Sequence, residues 1–242
     1  GGIVIVPVLE AALGFLGVDP AIRMHVAVAT SLATIIPTSV SSTLAHHRRQ
    51  SVDFDIVRRW AVFVLIGALL GAWIASQVHS RVLALVFATL ALLVAAKMVL
   101  FPATRNLTSA VPRGPLMSVI PTAIGCFSSM MGIGGGTFSV MTLSMFNVTI
   151  HRAVGTAALF GLIISLPATV GFIMTGWGDL RLPAGNLGYV SLVGFAVIAP
   201  ATVLTAPLGA RIAHGLSQKR LGMLFGVFLL LVSLRLFYRA MS

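Results

Sequence analysis

The sequence predicts an all-α polytopic membrane protein built from two inverted repeats, and three observations carry that reading. The first is composition: 58% of the 242 residues are hydrophobic and only 9% are charged, against about 25% charged in soluble domains. So little charge cannot cover a water-exposed surface of this size. The second is a series of long apolar runs. The third is an internal duplication whose equivalent loops carry opposite charge bias.

The apolar runs come in order at residues 26–45, 60–78, 82–100, 153–175, 187–210 and 221–234. Each is close to the roughly 20 residues that a helix needs to cross a hydrocarbon core. Runs 26–45 and 153–175 are the richest in Thr, Ser and Gly. The net charge is +11, but Lys and Arg sit mostly at run ends, where they set topology and anchor lipid headgroups. The charge therefore points to membrane lipid as a partner and not to nucleic acid. Trp73, Trp177, Tyr189 and Tyr238 suit interfacial belts.

Several chemistries are excluded or disfavoured. The single cysteine, Cys126, rules out an intramolecular disulfide and a cysteine-based zinc site. The histidines lack i, i+4 metal spacing, and neither a Walker lysine nor a GxSxG elbow is present. No metal, cofactor or enzymatic activity is expected. The five carboxylates, Glu10, Asp19, Asp53, Asp55 and Asp179, read as lying outside the middle of any apolar run. That leaves no Asp or Glu proton relay and disfavours cation transport. The chain opens on Gly1-Gly2-Ile3 without a Met, so an N-terminal piece is expected to be missing.

The duplication is read from five matches in a common order. Gly1-Gly2 with its apolar tail matches Gly135-Gly136, and His25 to Ser31 (HVAVATS) matches His151 to Ala157 (HRAVGTA). At the same offset Asp53 falls opposite Asp179. Further on Gly71 falls opposite Gly209, and Lys97 opposite Arg235. The repeats are placed at residues 1–104 and 105–242, together forming one membrane domain.

Charge orients the halves. Arg48, Arg49, Arg58 and Arg59 make the 46–59 loop cytoplasmic by the positive-inside rule. The matching loop at 176–181 holds one acid and one base. Arg211, Lys219 and Arg220 cluster in the 211–220 loop, whereas its counterpart has only His79 and Arg81. Equivalent loops thus prefer opposite sides, as in an inverted-topology repeat. Counting crossings makes loops 46–59, 101–114 and 211–220 cytoplasmic and brings residues 115–147 in and out on one face. The segment reads as a helical hairpin with Gly132-Ile133-Gly134-Gly135-Gly136 at its buried tip, since ten residues of helix reach only about 15 Å.

This arrangement resembles the TauE/SafE family of sulfite-exporter-like membrane proteins. The resemblance rests on Gly132 to Gly136 followed by an apolar arm, then Ala153-Val154-Gly155-Thr156. Gly1-Gly2, Val6-Pro7-Val8-Leu9 and Ala27-Val28-Ala29-Thr30-Ser31 are the first-half counterpart. It implies two related halves and movement of sulfite, sulfoacetate or other small organosulfur or carboxylate anions across the inner membrane.

The glycine breaks fit an anion on their own chemistry. A broken helix exposes unpaired N–H groups that must be satisfied by protein, water or ligand, and a helix N-terminus there favours an oxyanion. The expected substrate residues are Gly1, Gly2, Thr30, Ser31, Gly134, Gly135, Gly136, Thr137 and Thr156, with alternating access between halves. The competing reading is that glycines and small hydroxyls only permit tight helix packing. His25, His151 and Arg152 are candidate gate or proton-linked residues, or ordinary interfacial ones. Cys126 is a candidate pathway thiol, with burial as a small apolar residue the default. Alternatives to organosulfur transport are transport of another small carboxylate, and a membrane-embedded sulfur-handling enzyme or assembly factor acting through Cys126. A homo-oligomer is compatible with all of them.

Overall fold

The computed structural model describes residues 2–100, 116–146, 148–215 and 218–241. The elements are α1 (Gly2–Phe15), α2 (Pro20–Arg48), α3 (Phe54–Gln77), α4 (Ser80–Leu100), α5 (Leu116–Met131), α6 (Gly136–Met145), α7 (Ile150–Thr175), β1 (Asn186–Leu187), β2 (Val190–Ser191), α8 (Leu192–Gly215) and α9 (Gln218–Met241). Among the described residues, five helices are long and apolar enough to cross a membrane: Pro20–Arg48, Phe54–Gln77, Ser80–Lys97, Ile150–Thr175 and Met223–Ala240. Together they make the chain an all-α polytopic membrane protein. Gly1 and the 101–114 loop lie outside the described residues.

The helix boundaries have local causes. Asp19 caps α2 by accepting from the Ala21 N–H at 2.8 Å, with Pro20 at the first helical position. His46, His47 and Arg48 close the last turn of α2, where positive charge suits the helix dipole. Asp53 caps α3 by accepting from the N–H groups of Asp55 and Ile56. The run expected to begin at residue 187 instead opens with a two-strand hairpin, Asn186 pairing Ser191 and Leu187 pairing Val190, before α8 starts. Glycines in that segment broke the helical pattern without revealing the pairing.

α2 and α7 are the most enclosed of the five spanning helices, and they run antiparallel through the centre. Ser39 lies against Gly161, and the carbonyl of Ser51 lies against Gly155. α3 and α5 run parallel and pack through glycine. An added Cβ on Gly67 would sit 2.0 Å from the Thr122 carbonyl, and one on Gly71 would sit 2.3 Å from that of Cys126. Such backbone approach supplies dispersion contact where lipid offers no hydrophobic driving force. Since α5 starts beside the start of α3, and α6 leads into α7 beside Ser51, both arms of the α5–α6 segment lie at one end of the bundle. The turn between them reaches the middle: Gly132 touches Val28, Gly134 touches Ile35 and Gly135 touches Ile164.

Candidate functional site: a cavity at the glycine turn

The turn works because glycine supplies backbone that other residues resist. Gly132, Gly134 and Gly135 have φ of +68°, +66° and +76°, all in the left-handed region. Gly135 is the N-cap of α6 and provides no side-chain cap. The first intrahelical bond is the Ser139 N–H to the Gly135 carbonyl at 2.9 Å. The N–H groups of Gly136, Thr137 and Phe138 precede it and have no intrahelical acceptor. α1 meets the turn from the other direction. Its first residue, Gly2, is so close that a Cβ would lie 2.1 Å from the Gly132 carbonyl oxygen. From this contact α1 and α6 run toward opposite ends.

A cavity of about 480 Å³ opens beside this junction. Gly2 and Ile5 of α1, Ile133, Gly134 and Gly136 of the turn, and Val140 of α6 form one side. Thr34, Thr38, Ser39 and Ser42 of α2, Gly161 of α7 and Thr202 of α8 contribute to the remainder. No acidic or basic side chain is in the wall. Thr34, Thr38 and Thr202 donate their hydroxyl protons to carbonyls of their own helices, which leaves them as acceptors. Donors toward the cavity come from the N-terminus of α6 and from Ser39 and Ser42. A Cβ added at Gly136 meets nothing within 4 Å. Around the turn, Ser128, Ser139 and Ser165 are fully buried with unpartnered hydroxyls.

The expected site residues divide. Gly2, Gly134 and Gly136 line the cavity, whereas Gly135, Thr137, Thr30, Ser31 and Thr156 are absent from its wall. Ser31 donates to the Gly132 carbonyl at 2.7 Å and so ties α2 to the turn. Thr30 accepts from the Ser191 N–H at 2.9 Å, and Thr156 accepts from the Asp53 N–H at 2.9 Å. Each fully buried threonine thereby holds the residue that caps another helix, since Ser191 accepts from the Gly194 N–H just as Asp53 caps α3. Asp53 and Ser191 are 138 residues apart, the same spacing as Gly71 and Gly209, and both serine and aspartate suit a cap.

Asp179 does not cap a helix. It pairs with Arg181 at 2.7 Å and accepts from the Tyr189 hydroxyl at 3.3 Å. The Arg181 hydrogen bond holds its carboxyl at about 2. Tyr189, expected at an interface, is 8% exposed and stacks on His25 with ring centroids 5.2 Å apart. Trp73, Trp177 and Tyr238 are exposed at 61%, 70% and 75%, as a belt requires.

The two histidines also separate. His25 is buried, and its Nε2 lies 2.9 Å from the Ala75 carbonyl and 3.1 Å from that of Val78. Carbonyls only accept, so Nε2 carries the proton and closes the C-terminal end of α3. His151 is exposed at the start of α7, and Arg152 pairs with Asp53 at 2.9 Å. Neither His151 nor Arg152 lines the cavity. Cys126 is half-buried on α5 against Gly67 and Gly71 of α3, away from the cavity wall. Among the described residues no group of His, Cys, Asp and Glu is arranged to hold a metal. Sequence reasoning missed Glu10, which lies inside apolar α1 and is 7% exposed. Its partners are far away in sequence, on α2 and α9.

Apolar spanning helices around a glycine-broken turn, beside an open cavity with no charged residue in its wall, define a polytopic membrane protein of transporter type. Residues 1–236 match the model of the sulfite exporter TauE/SafE family, and the chain belongs to that family of membrane transporters. It is similar to a "Probable membrane transporter protein" of Haemophilus influenzae, 32% identical over 99% of this chain and 90% of the relative. It is also similar to the "Probable membrane transporter protein YunE" of Bacillus subtilis, at 24% identity over 98% of this chain and 90% of the relative. A third relative, the "Probable membrane transporter protein MJ0441" of Methanocaldococcus jannaschii, is 23% identical over 91% of this chain and 81% of its own length. No solved structure matches the chain.

Proposed function

We propose that the protein carries a small anion, sulfite or a related organosulfur oxyanion, and that the anion occupies the cavity at the Gly132–Gly136 turn. The observation that carries this reading is that the N-terminus of α6, capped by no side chain, opens on a cavity with no carboxylate in its wall. Unpaired N–H groups and aligned peptide dipoles favour an oxyanion without requiring a buried cation. Ser39 and Ser42 are the hydroxyl donors in this account. Thr30, Ser31 and Thr156 hold the scaffold that shapes the cavity. The break between α5 and α6 also matches the discontinuous helices at which secondary transporters bind substrate.

The repeat reading supports alternating access. α1 followed by α2 and α6 followed by α7 run in opposite senses, and Thr30 and Thr156 make corresponding bonds across the division near residue 104. Rocking of one repeat against the other would open the cavity to each side in turn, with loops 46–59, 101–114 and 211–220 facing the cytoplasm and net flux outward. Transport, not catalysis, is the expected activity, and Cys126 lies at a helix contact instead of in the cavity. Flux of labelled sulfite into proteoliposomes tests the reading, with thiosulfate, sulfate, sulfoacetate and pyruvate as competitors. Saturable flux competed best by organosulfur anions supports it. Competition by pyruvate alone moves the assignment to carboxylates, and absence of flux for all of them overturns it.

A further inference from the structure

At the end of the bundle opposite the 46–59 segment, a second cavity of about 230 Å³ lies between α1, α2, α4 and α9. Its wall holds three arginines, Arg23, Arg81 and Arg239, and one carboxylate, Glu10. Arg239 pairs with Glu10 Oε1 at 2.5 Å, and Arg23 Nη1 stands 3.9 Å from the same oxygen. Arg23 is fixed from behind, because its Nε and Nη2 donate to the Val18 carbonyl at 3.2 and 2.7 Å. Gly14 gives the guanidiniums room to lie on α1: a Cβ there would come within 3.0 Å of Arg239 and 3.1 Å of Arg23. Arg81 has no carboxylate partner among the described residues. One carboxylate against three guanidiniums leaves a positive excess.

A second, independent observation comes from Glu10 itself. It is 7% exposed, and its Oε2 is buried without a partner although Oε1 is doubly approached. A carboxylate held by one oxygen, facing more arginine than it can neutralise, is poised to be exchanged. Guanidinium groups offer forked donors matched to planar or tetrahedral oxyanions.

We propose that this cavity is a second binding site for a small oxyanion, in which the bound anion competes with the Glu10 carboxylate for Arg239 and engages the unpaired Arg81. Glu10 sits about 12 Å along α1 from Gly2, at 1.5 Å per residue. One helix therefore lines the central cavity with Gly2 and Ile5 and the arginine cavity with Glu10. Displacing Glu10 from Arg239 unlatches α1 from α9.

Arginine modification by phenylglyoxal reads the site directly. The purified full chain in detergent is treated with the reagent in sulfate or in chloride at matched ionic strength, and adducts are quantified by peptide mass spectrometry. Sulfate is the probe because sulfite adds to the reagent. Sulfate is expected to slow modification of Arg81 and Arg239 several-fold while leaving Arg48, at the other end, unchanged. Glu10→Gln removes the competitor and should lower the half-protecting sulfate concentration roughly tenfold, the scale of one charge-assisted bond. Ala84→Trp, which fills the cavity wall, should abolish protection and serves if the Glu10 variant misfolds. Equal modification rates in sulfate and chloride overturn the proposal. So does protection that disappears in Gly136→Leu, because the effect would then be relayed from the central cavity. Failure of sulfite flux leaves this result standing, so the two readings fail separately.

Discussion

The two proposed anion sites differ in how their walls are charged. In the middle of the bundle the wall holds no charged residue, and the proposed donors are the N-terminus of α6 and serine hydroxyls. At the end of α1 positive potential comes from three guanidiniums offset by one carboxylate. Depth explains the difference. A full charge at membrane mid-depth is costly, whereas near the boundary a long arginine side chain keeps contact with water. Peptide dipoles deliver partial charge at no ionisation cost and cannot be titrated away. A carrier that must also release its cargo gains from the weaker central grip.

The largest effect should come from blocking the uncharged site. Gly136→Leu places a side chain where nothing lies within 4 Å, so the protein should fold while sulfite flux falls at least about tenfold, one decade being about 1.4 kcal/mol. Gly67→Leu is the contrasting glycine. Its Cβ would collide with the Thr122 backbone, and the expected outcome is loss of folded protein on size-exclusion chromatography. A monodisperse Gly67→Leu would show that the α3–α5 contact does not need glycine.

The threonine braces should sort next. Thr30→Val strands the buried Ser191 N–H, and Thr156→Val strands the half-buried Asp53 N–H. A buried orphan donor costs about 1–3 kcal/mol, so Thr30→Val should lower the detergent unfolding midpoint more than Thr156→Val. Both should leave the apparent affinity for sulfite close to wild type. Loss of affinity without loss of stability would return the threonines to the binding site. Cys126→Ser should keep flux within about twofold, as expected for a residue at a packing contact.

The smallest effect concerns Asp179. Its folded pKa of about 2 lies below the usual carboxylate range because of Arg181, so its contribution is present at neutral pH. That contribution is lost as pH falls from about 4 through 2. Asp179→Asn should flatten the unfolding midpoint across that interval and change little at pH 7. An unchanged acid limb would assign the acid sensitivity elsewhere.

Much of this architecture was legible in the sequence. Composition and run length gave the membrane class, and four glycines in five positions gave the break between α5 and α6. What sequence could not supply was long-range pairing. Thr30 and Thr156 are mid-helix hydroxyls in any reading of the sequence, and only folding shows them accepting from Ser191 and Asp53. Glu10 reads as a charge near an apolar run because its partners, Arg23 and Arg239, are separated from it by 13 and 229 residues. Tyr189 reads as a belt residue until the β1–β2 hairpin folds it onto His25. A cavity lies beside the glycines, and the hydroxyls in its wall belong to Thr34, Thr38, Ser39, Ser42 and Thr202 and not to Thr30.

The central claim is that the uncharged junction of α1 and α6 holds the transported anion. Its most direct test is the initial rate of labelled sulfite entry into proteoliposomes bearing wild type, Gly136→Leu or Cys126→Ser. The account predicts saturable entry in wild type, its retention in Cys126→Ser, and its loss in a folded Gly136→Leu. Entry through Gly136→Leu at the wild-type rate would contradict it.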